Sequence, residues 1–317
     1  MEVGIVNVKE MDRVGSRKTT LIECLRTRGY SGGDMRKMLR SGKVKVFGVP
    51  TADASRVVNE ETVSIVPNAP RLVVGKEPAV IYRDRSLAVV WKPPRYLSVP
   101  APGRKREPSV LGFVQRIFGV AFAVHRLDEV TSGLMMVALD EKDQYTLKNL
   151  LAKKKITRKY LAMVSGQINE PFEVRNILVR NRGDGLRGSV AEEDIDGQGG
   201  KDAATSFRPL EPLFNATLLE ATLETGRTHQ VRVHLAEEGF PILGEHLYAS
   251  AQVERRAPRL CLHAHCLCFN HPRTCAPFEF KAPLADDLEA LRRRLQLDKT
   301  RPRSQGRAMK KQKNKRA

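Results

Sequence analysis

No stretch of this 317-residue sequence approaches the run of roughly 18 apolar residues that a bilayer-spanning helix needs. An integral helical membrane protein is thereby excluded. Cysteine is scarce and odd in number: the five residues Cys24, Cys261, Cys266, Cys268 and Cys275 do not make a disulfide scaffold and suit a reducing compartment. The N-terminus lacks a signal-type apolar segment, and Glu2, Glu10 and Asp12 make it too acidic for an organellar transit peptide. A cytoplasmic location is the expectation. Several reactive signatures are also missing: a glycine-rich phosphate loop of Walker or dinucleotide type, a G-x-S-x-G elbow, and an H-E-x-x-H pair. Nucleotide hydrolysis and hydride chemistry are correspondingly poor readings.

Hydrophobic residues make up 41% of the chain, enough to bury a substantial core. The charge is unevenly placed. Of the net +19, residues 13–45 hold ten basic and two acidic residues, and residues 292–317 hold twelve basic and one acidic residue. Those two segments carry +8 and +11, so the remainder is neutral. A balanced body with two basic appendages fits a polyanion held by its phosphates, and nucleic acid is the expected partner. The tail has no apolar face with which to seat a membrane, so no membrane partner is expected, and no obligate protein partner is implied.

Residues 1–66 read as a first domain. A helical stretch over 20–28 is followed by glycines; a second begins near Asp34 as N-cap and ends at Gly42, and β-like runs follow at 43–47 and 62–66. Arg36, Lys37, Arg40 and Lys43 crowd the second helix and the turn after it. The arrangement resembles the S4 RNA-binding domain, which implies an RNA-gripping role for those four residues. Prolines mark a linker over 67–78, and a strand-rich domain runs over 79–291. Strands are expected at 87–91, 120–124, 133–139, 160–164 and 217–223, with helices over 140–155, capped by Asp140, and 228–238. The glycine-rich stretch 180–202 reads as an exposed loop, and 292–317 as a disordered basic tail.

Cys261, His263, His265, Cys266, Cys268, His271 and Cys275 form a dense group, but an extended run sends His263 and His265 to one side and Cys266 and Cys268 to the other. The paired C-x₂-C element of ordinary zinc modules is absent. The reading is a buried strand, with no metal and no cofactor.

Three polar segments interrupt otherwise apolar elements: His125-Arg126-Leu127-Asp128-Glu129-Val130-Thr131-Ser132-Gly133, Arg158-Lys159-Tyr160-Leu161-Ala162, and Thr225-Gly226-Arg227-Thr228-His229-Gln230-Val231-Arg232-Val233-His234. Taken singly, each fits a charged turn, a sheet edge or a polar helix face. Together, and in this order, they resemble the RluA-type RNA pseudouridine synthases: the first matches the H-R-L-D-x-x-T-S-G signature and the third the T-G-R-T-H-Q-x-R-V-H segment. Trp91-Lys92-Pro93-Pro94, the 239–244 run and the stretch from Leu262 to Leu284 extend the match over about residues 79–288. Cys275 departs from it, standing where a glycine often follows His-Pro-x-Thr.

The resemblance implies an α+β catalytic domain on a mixed, mainly antiparallel sheet with a small S4-like N-terminal companion. It implies a cofactor-free isomerase that turns uridine in RNA, ribosomal or transfer, into pseudouridine. Such an enzyme flips the nucleotide out, breaks the C1′–N1 bond, rotates the uracil and joins C1′ to C5. Asp128 matches the essential carboxylate, Arg232 the arginine that pairs with it, and Tyr160 the tyrosine that lies on the uracil. Arg126 matches a position that contacts RNA near the flipped nucleotide. Behind them, Arg227, Thr228 and His229 are read either as orienting the Asp128–Arg232 pair or as purely structural, while His125 is read as bracing the loop. Ribosomal RNA is the favoured substrate. A non-catalytic RNA-binding or ribosome-assembly factor on the same scaffold is the rival reading, and a nucleobase glycosylase a second.

Overall fold

The computed structural model describes residues 18–300, apart from 41–42, 47–48, 51–53, 56, 61–62, 66–76, 105–106 and 191–198. In the N-terminal part, β1 (Lys18–Thr20) leads into α1 (Leu21–Thr27), α2 (Gly32–Arg40), β2 (Val44–Val46), β3 (Val49–Pro50), β4 (Val57–Asn59) and β5 (Val63–Ile65). Strand β1 pairs with β4, and β3, β2 and β5 form a second small sheet. Leu21, Cys24 and Leu25 of α1 and Met35 and Leu39 of α2 meet Val44, Val46, Val58 and Val63 in one apolar cluster. The Thr20 hydroxyl caps α1 at the Glu23 amide, and Glu23 answers at the Thr20 amide. Helix α2 starts two residues before the expected Asp34 cap, because the Ser31 hydroxyl takes the Asp34 amide at 3.2 Å and does the capping itself. The expected stop at Gly42 lies outside the described residues.

The remaining chain continues with β6 (Ala79–Arg83), β7 (Leu87–Lys92), α3 (Val110–Phe118), β8 (Phe122–Ala123), β9 (Ser132–Ala138), α4 (Glu141–Ala152), β10 (Ile156–Ser165), β11 (Phe172–Val179), β12 (Gly188–Val190), β13 (Lys201–Leu213) and β14 (Ala216–Leu223). It ends with α5 (Gln230–Glu237), α6 (Ala251–Glu254), β15 (Leu262–Asn270), β16 (Pro277–Lys281) and α7 (Asp286–Thr300). One sheet carries them in the order β12-β11-β13-β14-β10-β15-β9-β7-β6, with β16 on β15 and β8 on β9. Every pairing is antiparallel except β15 with β9, where His263 meets Ser132 and Ala264 meets Gly133. The sheet is therefore mixed and mainly antiparallel, as expected for an α+β domain. That parallel seam depends on Gly133: at φ 118°, any Cβ there would stand 2.2 Å from the Ala264 carbonyl oxygen.

The sheet is covered on both faces. In β7, Ala88 and Val90 join one apolar cluster with α3, α5 and α7, whereas Leu87, Val89 and Trp91 join another with Leu147 of α4. The alternation is the two-residue period of a strand buried on both sides. Asp140 caps α4 as expected, accepting from the Lys142 and Asp143 amides.

Four expectations need correction. The strand at 120–124 shrinks to Phe122–Ala123. Within the supposed loop 180–202, Gly188–Val190 pairs with β11 and Lys201 already opens β13, so the glycine content concealed an edge strand and the start of an interior one. Helix α5 begins at Gln230, since His229 takes a left-handed conformation at φ 60°. Finally, the chain does not lose structure at Arg292. Helix α7 runs to Thr300, its Leu288, Leu291 and Leu295 buried in the main core, and Arg292 pairs with both Glu211 and Glu289. Counting charge obscured an apolar stripe at i, i+3 and i+7. Leu295 is only 7% exposed, so Leu295→Ala is expected to cost about 2–5 kcal/mol in denaturant unfolding, a loss a disordered tail would not show.

Candidate active site

Asp128 lies in the loop between β8 and β9, Tyr160 in β10, and Arg232 in α5. Those elements bring all three to one small cavity of about 50 Å³, which Arg126, Arg227 and His229 also line. Arg126 and Arg227, both exposed, border it on the solvent side. Two larger clefts, of about 730 and 690 Å³, contain none of the three residues.

The Asp128 loop is held by side chains that bond to backbone groups in and beside it. The Ser98 hydroxyl donates to the Leu127 carbonyl at 2.7 Å and accepts from its amide at 2.9 Å. Lys92, with no exposed surface, donates from Nζ to the carbonyls of Glu129 at 2.8 Å and Pro93 at 2.9 Å. His125 Nε2 accepts from the Met136 amide at 3.0 Å, and burial, then Arg158, pushes its pKa down to about 3. A neutral imidazole in that position ties the loop to β9.

Burial also pushes the Lys92 pKa down to about 7. Between that value and the ordinary 10.5, the unfolded chain binds a proton that the folded protein has released, so stability rises with pH across this window. The slope from this one group is at most about 1.4 kcal/mol per pH unit. Unfolding free energies measured from pH 7 to 10 are expected to lose this slope in Lys92→Met.

The third polar segment folds around Gln230. Its side-chain oxygen accepts from the Thr225 hydroxyl at 2.8 Å and the Arg227 amide at 2.9 Å. Its nitrogen donates to the Ala204 carbonyl at 3.0 Å and the Thr205 hydroxyl at 2.9 Å. A buried glutamine with its bonds satisfied thus anchors the start of α5 to β13. Arg227 Nε donates to the Asp202 carbonyl at 2.8 Å, leaving the exposed side chain at the cavity. Thr228 is half-buried and does not line it.

Arg232 is 2% exposed and reaches two carboxylates. Its Nη1 stands 3.5 Å from Asp128 Oδ2, a long contact. The close partner is Glu245, wholly buried, which takes Nε at 2.8 Å and Nη2 at 2.7 Å in a bidentate fork. Tyr248 sets its ring 5.4 Å from the guanidinium carbon and its hydroxyl 2.7 Å from His229 Nδ1. His229 Nε2 in turn lies 3.9 Å from Asp128 Oδ1. Burial lowers the His229 pKa, with Asp128 opposing the shift. Tyr160 is 7% exposed, and burial raises its pKa, so it is a neutral phenol at physiological pH.

Glu245 and Tyr248 escape the sequence reading, and Lys92 enters it only as part of a motif. The available signal was Arg232 itself: a guanidinium on an apolar helix needs an anion, and one aspartate that must also face a substrate is not enough. Of the basic residues expected to grip RNA, Arg36 and Lys37 are exposed on α2 and Lys43 is half-buried after it, while the Arg40 side chain lies outside the described residues.

Comparison with known proteins gives consistent matches. Residues 86–237 match the RNA pseudouridylate synthase family profile. The dual-specificity RNA pseudouridine synthase RluA of Haemophilus ducreyi is 35% identical over 197 residues, 61% of this chain and 86% of that protein. The ribosomal large subunit pseudouridine synthase D of Neisseria meningitidis serogroup A is 29% identical over 289 residues, 85% of this chain and 76% of its own. Among solved structures, human RNA pseudouridylate synthase domain containing 1 superposes with a TM-score of 0.56 at 25% identity, covering 68% of this chain and 88% of that one.

Proposed function

The chain belongs to the RluA-type RNA pseudouridine synthases, isomerases that act on RNA, and on that premise we propose that its substrate is ribosomal rather than transfer RNA and that Asp128 carries the reaction. The convergence of Asp128, Tyr160 and Arg232 on one cavity supports the assignment of the site. Asp128 provides the carboxylate that breaks the C1′–N1 bond. Arg232, itself fixed by Glu245, keeps that carboxylate in one pose, so no orientation is lost when the substrate arrives. Tyr160 offers its ring to the uracil and, as a neutral phenol, a hydroxyl for the late removal of the C5 proton. Arg126, exposed beside the cavity, receives the RNA next to the flipped nucleotide. His229, fixed by Tyr248, orients Asp128 from the other side, and Arg227 joins the third segment to β13.

The ribosomal choice rests on extent of match. The relative named for the ribosomal large subunit matches 85% of this chain, whereas the dual-specificity relative matches 61%. The longer match leaves room for the N-terminal residues, where an S4-like unit with Arg36, Lys37 and Lys43 would hold structured RNA by its phosphates. The test is tritium release from unmodified RNA bearing [5-³H]uridine, with ribosomal and transfer RNA supplied separately. Release from ribosomal RNA at least about tenfold faster is expected, and a preference for transfer RNA would overturn the choice. Affinity should fall steeply between 50 and 200 mM salt, as counterion release at several phosphates requires. A glycosylase acting through the same carboxylate would instead liberate free uracil.

A further inference from the structure

We propose that Cys266, Cys268 and Glu279 form a binding site for a thiophilic divalent cation, zinc by its chemistry, on the β15–β16 hairpin. The dense cysteine and histidine group seen in the sequence is not used by the site around Asp128. Within β15 alone the spacing does not suit a metal. The third ligand comes from the neighbouring strand.

The register explains the convergence. Cys268 lies directly opposite Glu279 in the antiparallel pair, and Cys266 is one alternation further along the same face. Leu267 and Phe269, with Phe280 and Phe278 opposite them, point the other way into the apolar cluster. Three metal-capable side chains are therefore left together on the face away from the aromatics. Cys266 Sγ and Cys268 Sγ are 3.4 Å apart, and Glu279 Oε1 lies 3.9 and 3.7 Å from them. Zinc bonds of about 2.3 Å to sulfur and about 2.1 Å to oxygen give tetrahedral edges of about 3.8 Å between sulfurs and about 3.6 Å between sulfur and oxygen. The three atoms already stand near those spacings, so a metal could enter with shifts of a few tenths of an ångström.

Ligand chemistry selects the ion. Two thiolates disfavour magnesium and calcium, and a carboxylate beside them suits zinc better than monovalent copper. Two thiolates and one carboxylate around a divalent ion leave one negative charge. Lys281, whose Nζ stands 3.0 Å from Glu279 Oε1, and Lys159, the cross-strand neighbour of Cys266 on β10, are placed to offset it. Cys268 and Glu279 also border the cleft of about 730 Å³, which gives water access to the fourth position. Cys275 borders the same cleft but lies in an exposed turn and is not a member of the cluster.

The test is cobalt titration of the full-length protein after reduction and stripping with a chelator. Binding of about one equivalent, with a near-ultraviolet thiolate-to-cobalt charge-transfer band that zinc abolishes, is expected. Cys266→Ser and Cys268→Ser should each remove the band, and Cys275→Ser should leave it intact. Glu279→Gln, which keeps both thiols, should weaken binding by more than the roughly tenfold cost of losing an outer partner. Circular dichroism would check that each variant is folded. The proposal is overturned by absence of the thiolate band in the reduced, stripped protein, or by an unchanged titration in the Cys266→Ser/Cys268→Ser double variant. A Cys266–Cys268 disulfide without metal uptake after reduction would overturn it equally. None of these readouts depends on uridine isomerisation, so they stand apart from the substrate assay.

Discussion

Asp128→Asn is expected to abolish tritium release from ribosomal RNA, a loss on the order of 10³-fold or more, while the protein remains folded and still binds RNA. The substitution is nearly isosteric. Its side-chain oxygen can still accept from Arg232 Nη1, now 3.5 Å from Asp128 Oδ2, and the Ser98 and Lys92 side chains hold the loop at backbone carbonyls that the substitution does not touch. Only the negative charge of the side chain is removed. Asp128→Ala should behave alike in the assay. Residual release within tenfold of the unaltered protein would refute the assignment of Asp128. Tight binding with no release by the unaltered protein would favour the non-catalytic factor instead.

The second large effect is expected at Glu245, which touches no substrate in this scheme. Glu245→Ala leaves the Arg232 guanidinium in a site that is 2% exposed, without its bidentate partner. Breaking such a buried pair from one side costs about 3–5 kcal/mol, measurable by denaturant unfolding. Arg232 then has Asp128 as its remaining carboxylate, and drawing Asp128 out of its pose should lower kcat by about 100-fold with a smaller change in KM. Glu245→Gln can still accept one guanidinium bond and should lose less in both measurements. There is also a pH signature. Burial alone would raise the Glu245 pKa, but the bonds and charge of Arg232 outweigh it and hold the carboxyl below its ordinary 4.5. A group lowered on folding stabilises above its unfolded pKa, and that contribution is lost as pH falls through the folded value. The unaltered protein should therefore lose this contribution in acid below about pH 4.5, and Glu245→Gln should not. An alanine variant as stable and as fast as the parent would remove Glu245 from the scheme.

The contrast between Asp128 and Glu245 shows what could be read from residue order. Asp128, Tyr160 and Arg232 stand in local motifs, so a family resemblance could point to them before any fold was known, and the structure brings all three to one cavity. Glu245 sits in the short run Gly244-Glu245-His246-Leu247-Tyr248, and only the packing of that run against α5 gives it meaning. Helix α4 and the central strands were legible because cap residues and apolar alternation are local. The seam between β9 and β15 was not, because it joins Gly133 to Ala264 across 131 positions and its cause is a missing Cβ. At Arg292 the local signal pointed the wrong way: basic side chains on one face of α7 hid the leucines on the other. Cys275 is a milder case. It departs from a glycine position and accordingly holds a left-handed φ of 56° in its turn.

The tightness of the cavity beside Asp128 bears on how errors are avoided. So small a space offers a loose nucleoside little surface to hold, so on the proposed reading the choice among uridines falls to the RNA around the base. On that reading the exposed Arg126 and Arg227, which line the cavity, are the side chains an incoming strand meets first. Selectivity is then set by the shape of the strand that reaches those arginines rather than by affinity for the base itself.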